Sequence, residues 1–146
     1  MQPDIILNPL AIGVAIIINV VIGSLWYGPV FGEAWGKEID PFGTWKPKSK
    51  ANIKAMVLMV IGSLFTAFVL AHTTQIWRPS VWERGLDDPS ILYALAAAFF
   101  TWIGFYVPTE LNLVGFEERS WKLFAINSGY QFVSLLAMAL VLSYWR

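Results

Sequence analysis

The sequence predicts an all-α membrane protein: four transmembrane helices in an antiparallel bundle. Hydrophobic residues make up 57% of the chain and charged residues only 14%, whereas a soluble domain carries about 25% charged residues. The charged residues avoid four windows, 5–32, 55–77, 89–109 and 123–145. Each window is long enough for the roughly 20 apolar residues that cross a bilayer as a helix. A soluble helical bundle is the alternative, but its helices would need a charged outer face.

The start of each helix is predicted from local chemistry. Asn8-Pro9 combines an N-cap residue with proline at the first helical position, where a missing N–H costs nothing, and Asp88-Pro89 repeats this pattern. Ser120 is the predicted N-cap of the last helix.

The helix ends are predicted from the prolines. Gly28-Pro29 should end the first helix, because the residue before a proline disfavours helical geometry, and Pro108 should end or kink the third. The chain is thus one integral membrane domain, 1–146. Its helices are predicted at about 9–27, 51–74, 89–108 and 120–145, with an interfacial segment at 28–50.

Lysine and arginine predict the orientation. The two segments on one side of the predicted bundle contain seven of the ten basic residues: Lys37, Lys46, Lys48, Lys50, Lys54, Arg119 and Lys122. Because basic loops stay in the cytoplasm, both termini are expected outside it.

An aromatic motif, "WYGPVFGEAW", lies where the first helix leaves the membrane. One interpretation is a helix end with interfacial anchors, since Trp and Tyr suit the headgroup level. The other is a surface-lying or re-entrant segment that docks a partner, in which Phe31 and Trp35 share a face and Glu33 and Lys37 point to water. The candidate docking residues are Trp26, Tyr27, Gly28, Pro29, Phe31, Trp35 and Trp121.

Several polar residues fall inside the predicted spans. Asn19 and Gln131 are each about 15 Å from the start of their helix at 1.5 Å per residue, close to the bilayer midplane. They either form hydrogen bonds between helices or line a polar path. The candidate intramembrane cluster is Asn19, Asn127, Tyr130, Gln131 and Ser134.

A third candidate group lies near the end of the third helix. Glu110 is either an interfacial charge that reaches water or part of a cytoplasmic polar cluster that binds an ion or substrate. The members of that cluster would be Pro108, Thr109, Glu110, Asn112 and Lys122.

The two halves of the chain share a short pattern. Trp26-Tyr27-Gly28-Pro29 and Phe105-Tyr106-Val107-Pro108 both read aromatic-Tyr-x-Pro. Two hairpins related in this way would form a parallel repeat, as in several transporters, although chance similarity between two membrane helices explains the match as well.

Other chemistry has little support. The chain has no cysteine and one histidine, His72, so disulfides and an ordinary zinc or copper site are excluded. No phosphate-binding loop or nucleophile elbow is present, so no enzyme and no cofactor are expected. The zero net charge argues against nucleic acid as a partner, and "MQPDIILNPL" lacks the basic start of a cleaved signal peptide.

Three stretches resemble a known family. The segments "WYGPVFGEAW", "VPTELN" and "WKLFAINSGYQ" are similar to the domain-of-unknown-function 1761 family of small bacterial membrane proteins, over nearly the whole chain. The resemblance implies four helices and a bacterial inner membrane, and it brings no established activity or catalytic residue.

Two main functions remain. The first is a structural or accessory subunit, either homo-oligomeric or attached to other membrane protein subunits, with membrane lipid around it. The alternative is a small transporter or channel with a polar path near Asn19 and Gln131. A lipid-active enzyme is a weaker third class.

The orientation gives a first testable prediction. A reporter that fluoresces only in the cytoplasm, fused after Arg146, should stay dark, because the basic segment 46–54 holds the opposite end of the bundle in the cytoplasm. The same reporter inserted near Lys48 should fluoresce. Bright fluorescence from the C-terminal fusion would reverse the orientation.

Overall fold

The computed structural model describes residues 5–40, 42–43 and 53–145, and all regular structure in these ranges is helical. The α-helices are α1 Pro9–Leu25, α2 Gly32–Ile39, α3 Ile53–Ile76, α4 Ser90–Thr101, α5 Val107–Phe116 and α6 Trp121–Tyr144. Five-residue π-helical turns, Trp26–Val30 and Trp102–Tyr106, follow α1 and α4, and a 3-10 turn, Pro79–Trp82, follows α3.

Four helical stretches are long and apolar enough to cross a membrane: Pro9–Val30, Ile53–Ile76, Ser90–Phe116 and Trp121–Tyr144. The predicted all-α membrane fold is therefore confirmed. The spans alternate in direction, so the start of α1, the end of α3, the start of α4 and the end of α6 share one end of the bundle, here called the terminal end. The other end, where α2 and residues 117–120 lie, is called the α2 end.

Two of the three predicted N-caps are confirmed. The Asn8 side chain accepts hydrogen bonds from the backbone N–H groups of Leu10 and Ala11, and Ser120 accepts one from Leu123 at 3.0 Å. The prediction for Asp88 was wrong, because Pro89 is extended and α4 begins at Ser90 without a side-chain cap.

Of the two alternatives predicted for Pro108, an end or a kink of the third helix, the end was wrong, since the third span continues to Phe116. The backbone N–H of Val107 bonds to the carbonyl of Trp102, five residues back, which is the π-helical pattern. Pro108 therefore lies in the first turn of α5, where no backbone donor is needed.

The first span follows the same scheme at its predicted end. The backbone N–H of Phe31 donates to the Trp26 carbonyl at 2.8 Å, again five residues back, and Gly28 is the one non-helical residue of the turn. The chain kinks at Gly28-Pro29 and continues as α2. In the second span, α3 begins at Ile53 and ends two residues beyond the predicted Thr74, while the predicted start at residue 51 lies outside the described residues.

Helix α6 is the centre of the bundle. It packs against α1, α3 and α4, and 44% of its most apolar stretch is buried, against 17–22% in the other three spans. Small residues allow the other helices to approach it and each other closely. The core around Leu135, Met138 and Leu70 includes Ala11, Ala15, Ala67, Ala71, Ala94, Ala97, Ala98 and Ala139.

Arg78 ties the terminal end together. Its side chain is only 1% exposed and lies 3.3 Å from the Asp87 carboxylate, and its guanidinium carbon is 4.5 Å from the centre of the Tyr93 ring. The guanidinium also donates to the carbonyl and hydroxyl of Ser143, both at 2.8 Å. One buried cation therefore joins the end of α3, the following loop, α4 and the end of α6.

The Asp87 carboxylate is held in its charged form. Desolvation alone would raise its pKa, but hydrogen bonds from Ser80 and the Arg78 guanidinium outweigh that effect and lower the pKa. A carboxyl whose pKa is lower in the folded state stabilises the fold above its unfolded pKa, and this contribution is lost as the pH falls through the folded pKa.

We predict that Arg78→Met lowers the free energy of unfolding in detergent by about 3 kcal/mol, because it leaves a partly buried carboxylate and two buried acceptors without their donor. Arg84→Met, at an exposed position on the same loop, should change it by less than about 0.5 kcal/mol. Equal losses in the two variants, measured by chemical unfolding, would show that Arg78 does not stabilise this end.

Candidate functional site

Two tryptophans begin the two π-helical turns, and both bond to α6. The Trp26 indole N–H donates to the carbonyl of Ile126 at 3.0 Å, and that of Trp102 donates to the carbonyl of Ser128 at 2.9 Å. The acceptors are two residues apart on one helix. The first and third spans are thus fixed to neighbouring positions of α6.

Glycine makes room for one of these rings. A Cβ atom added to Gly129 would lie 3.2 Å from the Trp26 ring, so the indole packs against the α6 backbone. Trp26 also stacks on Phe31 with 4.6 Å between ring centres. The indole thus contributes packing on two sides in addition to its hydrogen bond.

Helix α2 folds back onto the bundle after the first π-helical turn. A Cβ on Gly32 would lie 2.6 Å from the Tyr27 carbonyl oxygen, so only glycine allows this approach. The Trp35 ring, half-buried, meets the edge of the Tyr27 ring at 5.4 Å. Glu33 and Lys37 form the predicted exposed ion pair at 2.7 Å, and the Lys37 hydrogen bond lowers the pKa of Glu33.

The far end of α2 is tied to the start of α6. Glu38 accepts a hydrogen bond from the Ser120 hydroxyl and lies 3.2 Å from the Lys122 ammonium. These two contacts, Ser120 first, lower the pKa of Glu38. Lys122, a candidate member of the polar cluster around Glu110, thus forms an ion pair with a carboxylate of α2.

The midplane amide of α1 is fully engaged inside the bundle. Asn19 donates to the Ser63 hydroxyl of α3 at 2.6 Å and accepts from the Tyr130 hydroxyl of α6 at 3.0 Å. Ser63 in turn donates to the Met59 carbonyl. Asn19 and Gln131, the two midplane amides of the candidate cluster, form no hydrogen bond with each other among the described residues. Tyr130, one residue earlier on α6, takes its place because its long side chain reaches α1.

A polar chain continues from this triad towards the α2 end. The Tyr130 ring meets the Tyr27 ring edge-on at 5.0 Å, and the Tyr27 hydroxyl donates to the Asn127 side chain at 3.1 Å. The Asn127 amide then donates to the Glu110 carboxylate at 3.4 Å. We call these residues, Asn19, Tyr27, Glu110, Asn127 and Tyr130, the α6 polar chain.

The structure thus joins members of three candidate groups that the sequence kept apart. Other members lie elsewhere. Trp121 is 66% exposed and packs on Phe124, Asn112 is exposed, and the exposed Thr109 donates to the Phe105 carbonyl of its own helix. Ser134 is buried on α6, four residues after Tyr130.

Sequence reasoning missed Trp102 as a partner of α6. The sequence does contain a pattern that points to Trp102. Both π-helical turns begin with Trp-x-Gly, as Trp26-Tyr27-Gly28 and Trp102-Ile103-Gly104. The predicted alignment on aromatic-Tyr-x-Pro puts Pro29 opposite Pro108, but the former lies inside its turn and the latter follows its turn. The shared geometry therefore begins at the tryptophans.

The chemical capacity of the α6 polar chain is limited. Glu110 is its one carboxylate, and the rest are amides and phenols. Within residues 5–40, 42–43 and 53–145, no group of three His, Cys, Asp or Glu side chains could hold a metal ion. The arrangement can hold helices together, bind a polar group at Glu110 or move a proton there.

The hydrogen bond between Asn19 and Tyr130 gives a prediction. Asn19→Leu and Tyr130→Phe should each lower the free energy of unfolding in detergent, and a double-mutant cycle should give a coupling of about 1 kcal/mol. Gln131→Leu is the matched control and should be additive with Asn19→Leu. Strict additivity in the first cycle would mean that the phenol does not bond to the amide.

Comparison with known proteins identifies the family and goes no further. A family model described as "Protein of unknown function (DUF1761)" matches residues 10–143. No curated protein and no solved structure matches the chain. The match covers the four spans except Pro9 and Tyr144, both π-helical turns and the whole α6 polar chain, and so the chain belongs to the DUF1761 family of proteins of unknown function.

Proposed function

We propose that this protein is a non-enzymatic component of a membrane assembly that associates with a second copy of itself through a groove between α3 and α4. The groove encloses about 390 Å³ within the membrane-spanning region and is open at the lipid-facing side. It is lined by Phe65, Thr66, Val69, Leu70, Thr73, Thr101, Phe105 and Tyr106. This groove is the observation that carries the proposal.

The residues around the groove favour a helix as its occupant. Thr66 and Thr73 donate to carbonyls of their own helix, which leaves their oxygens able to accept from a neighbour. Gly62, one turn before Thr66, has no atom within 4 Å of an added Cβ, and neither does Gly104. Outward glycine and threonine are typical of surfaces where membrane helices meet.

The groove also has raised sides. Phe65 and Phe105 are 67% and 73% exposed, so each presents most of its ring to the lipid. A helix of a second copy would bury both rings and fill the space between them. In a bilayer such packing is a principal source of helix association, since the hydrophobic effect does not distinguish lipid from protein.

Transport is the second candidate function, and the half-buried Glu110 carboxylate at the end of the α6 polar chain favours it. The hydrogen bonds at the midplane argue against a transport path, because the nitrogen and the oxygen of the Asn19 amide both bond to neighbouring helices. We propose the bacterial inner membrane as the location, with both termini outside the cytoplasm as the basic residues predict.

The oligomeric state in lipid nanodiscs tests the proposed function. In native mass spectrometry, wild type should show the mass of at least two chains of 16.4 kDa each. Thr66→Leu, which fills the groove, should weaken association roughly tenfold, equivalent to about 1.4 kcal/mol.

Val57→Leu is the matched control, because residue 57 is nine positions from Thr66 and faces the opposite side of α3, with Val57 52% exposed. It should leave the mass distribution unchanged. A wild-type chain that is monomeric at every protein-to-lipid ratio, or equal effects of the two variants, would overturn the proposal.

A further inference from the structure

We propose that the terminal end binds the headgroup of a zwitterionic phospholipid in a cleft beside the loop that follows α3. The cleft has a volume of about 600 Å³ and is lined by Ile76, Trp77, Pro79, Trp82 and Arg84. It shares no lining residue with the α3–α4 groove and none with the α6 polar chain.

The position of the cleft matches the membrane–water interface. Ile76 is the last residue of the second span, and the exposed faces of Ile76 and Trp77 continue the lipid-facing surface of α3. A lipid whose acyl chains lie along α3 would therefore bring its headgroup to the level of this loop. Tryptophan is enriched at this level because its ring has an apolar body and a polar N–H.

The loop that forms the cleft is held in place before any ligand arrives. The Trp82 indole donates to the Ile76 carbonyl at 2.7 Å, and the backbone N–H of Arg84 donates to the Pro79 carbonyl at 2.9 Å. The Asp87 carboxylate accepts from the backbone of Ser80 and is itself held by the buried Arg78. Binding would therefore cost little additional ordering.

The charges suit a headgroup with a phosphate and an ammonium. The Arg84 guanidinium lies 6.0 Å from the centre of the Trp82 ring, is exposed, and forms no ion pair among the described residues. It can donate to phosphate oxygens. The faces of two indole rings can accept an ammonium group, and the neighbouring Glu83 adds a negative charge that disfavours a purely anionic headgroup.

Native mass spectrometry of the full chain in detergent, with phosphatidylethanolamine added, tests the site. Wild type should retain one lipid per chain, and Arg84→Gln should lower its occupancy roughly tenfold. Trp77→Leu should lower it too, by removing one aromatic face. Lys54→Gln, which removes an exposed cation at the opposite end of α3, is the control and should bind like wild type. Thermal unfolding should show that all three variants fold.

Competing ligands show whether the cleft binds a lipid or a free phosphate compound, and which headgroup it prefers. Phosphatidylglycerol should bind less well than phosphatidylethanolamine, and free phosphoethanolamine should not displace the lipid. Equal retention of the two lipids would overturn the zwitterionic assignment, and displacement by free phosphoethanolamine would overturn the lipid as the ligand. Unchanged retention in Arg84→Gln would show that the cleft is not the site.

Discussion

The rule that polar groups inside a bilayer must find partners within the protein explains why α6 is the centre of this fold. Two indole N–H groups, one from the first span and one from the third, bond to its carbonyls at Ile126 and Ser128. Its Tyr130 and Asn127 side chains donate hydrogen bonds to Asn19 of α1 and Glu110 of α5. The first and third spans bring donors and acceptors that lipid cannot satisfy, and α6 supplies their partners.

The two ends of α6 are fixed by charge, where the membrane gives way to water. At the terminal end the buried Arg78 joins Asp87 to the last turn of the helix at Ser143. At the α2 end Glu38 meets Ser120 and Lys122 at its first turn. The structure thus has polar contacts at both ends and at the midplane, with alanine-rich packing between the midplane and the terminal end.

Much of the fold could be predicted because its signals are local. Charge-free windows define the spans, and the caps at Asn8 and Ser120 depend only on adjacent residues. The continuation through Pro108 could not be predicted, since the π-helical turn that accommodates it is held by Trp102 on α6. For the site, residue types and depths were predictable. The pairings of Tyr130 with Asn19 and of Lys122 with Glu38 depend on helix rotation, which sequence spacing leaves open.

The surfaces that take no part in the polar contacts with α6 are the ones to which other molecules can bind. Only 17% of the most apolar stretch is buried in each of the first two spans, so a large part of their surface is left for the bilayer. Lipid tails cover such faces without any specific fit, whereas glycine and threonine within the span, or an arginine beside two indoles at its end, offer contacts that tails cannot use. In our two proposals, a second helix would use the first surface through close packing, and a headgroup would use the second through charge. Because the two surfaces rely on different interactions, each can be altered without loss of the other.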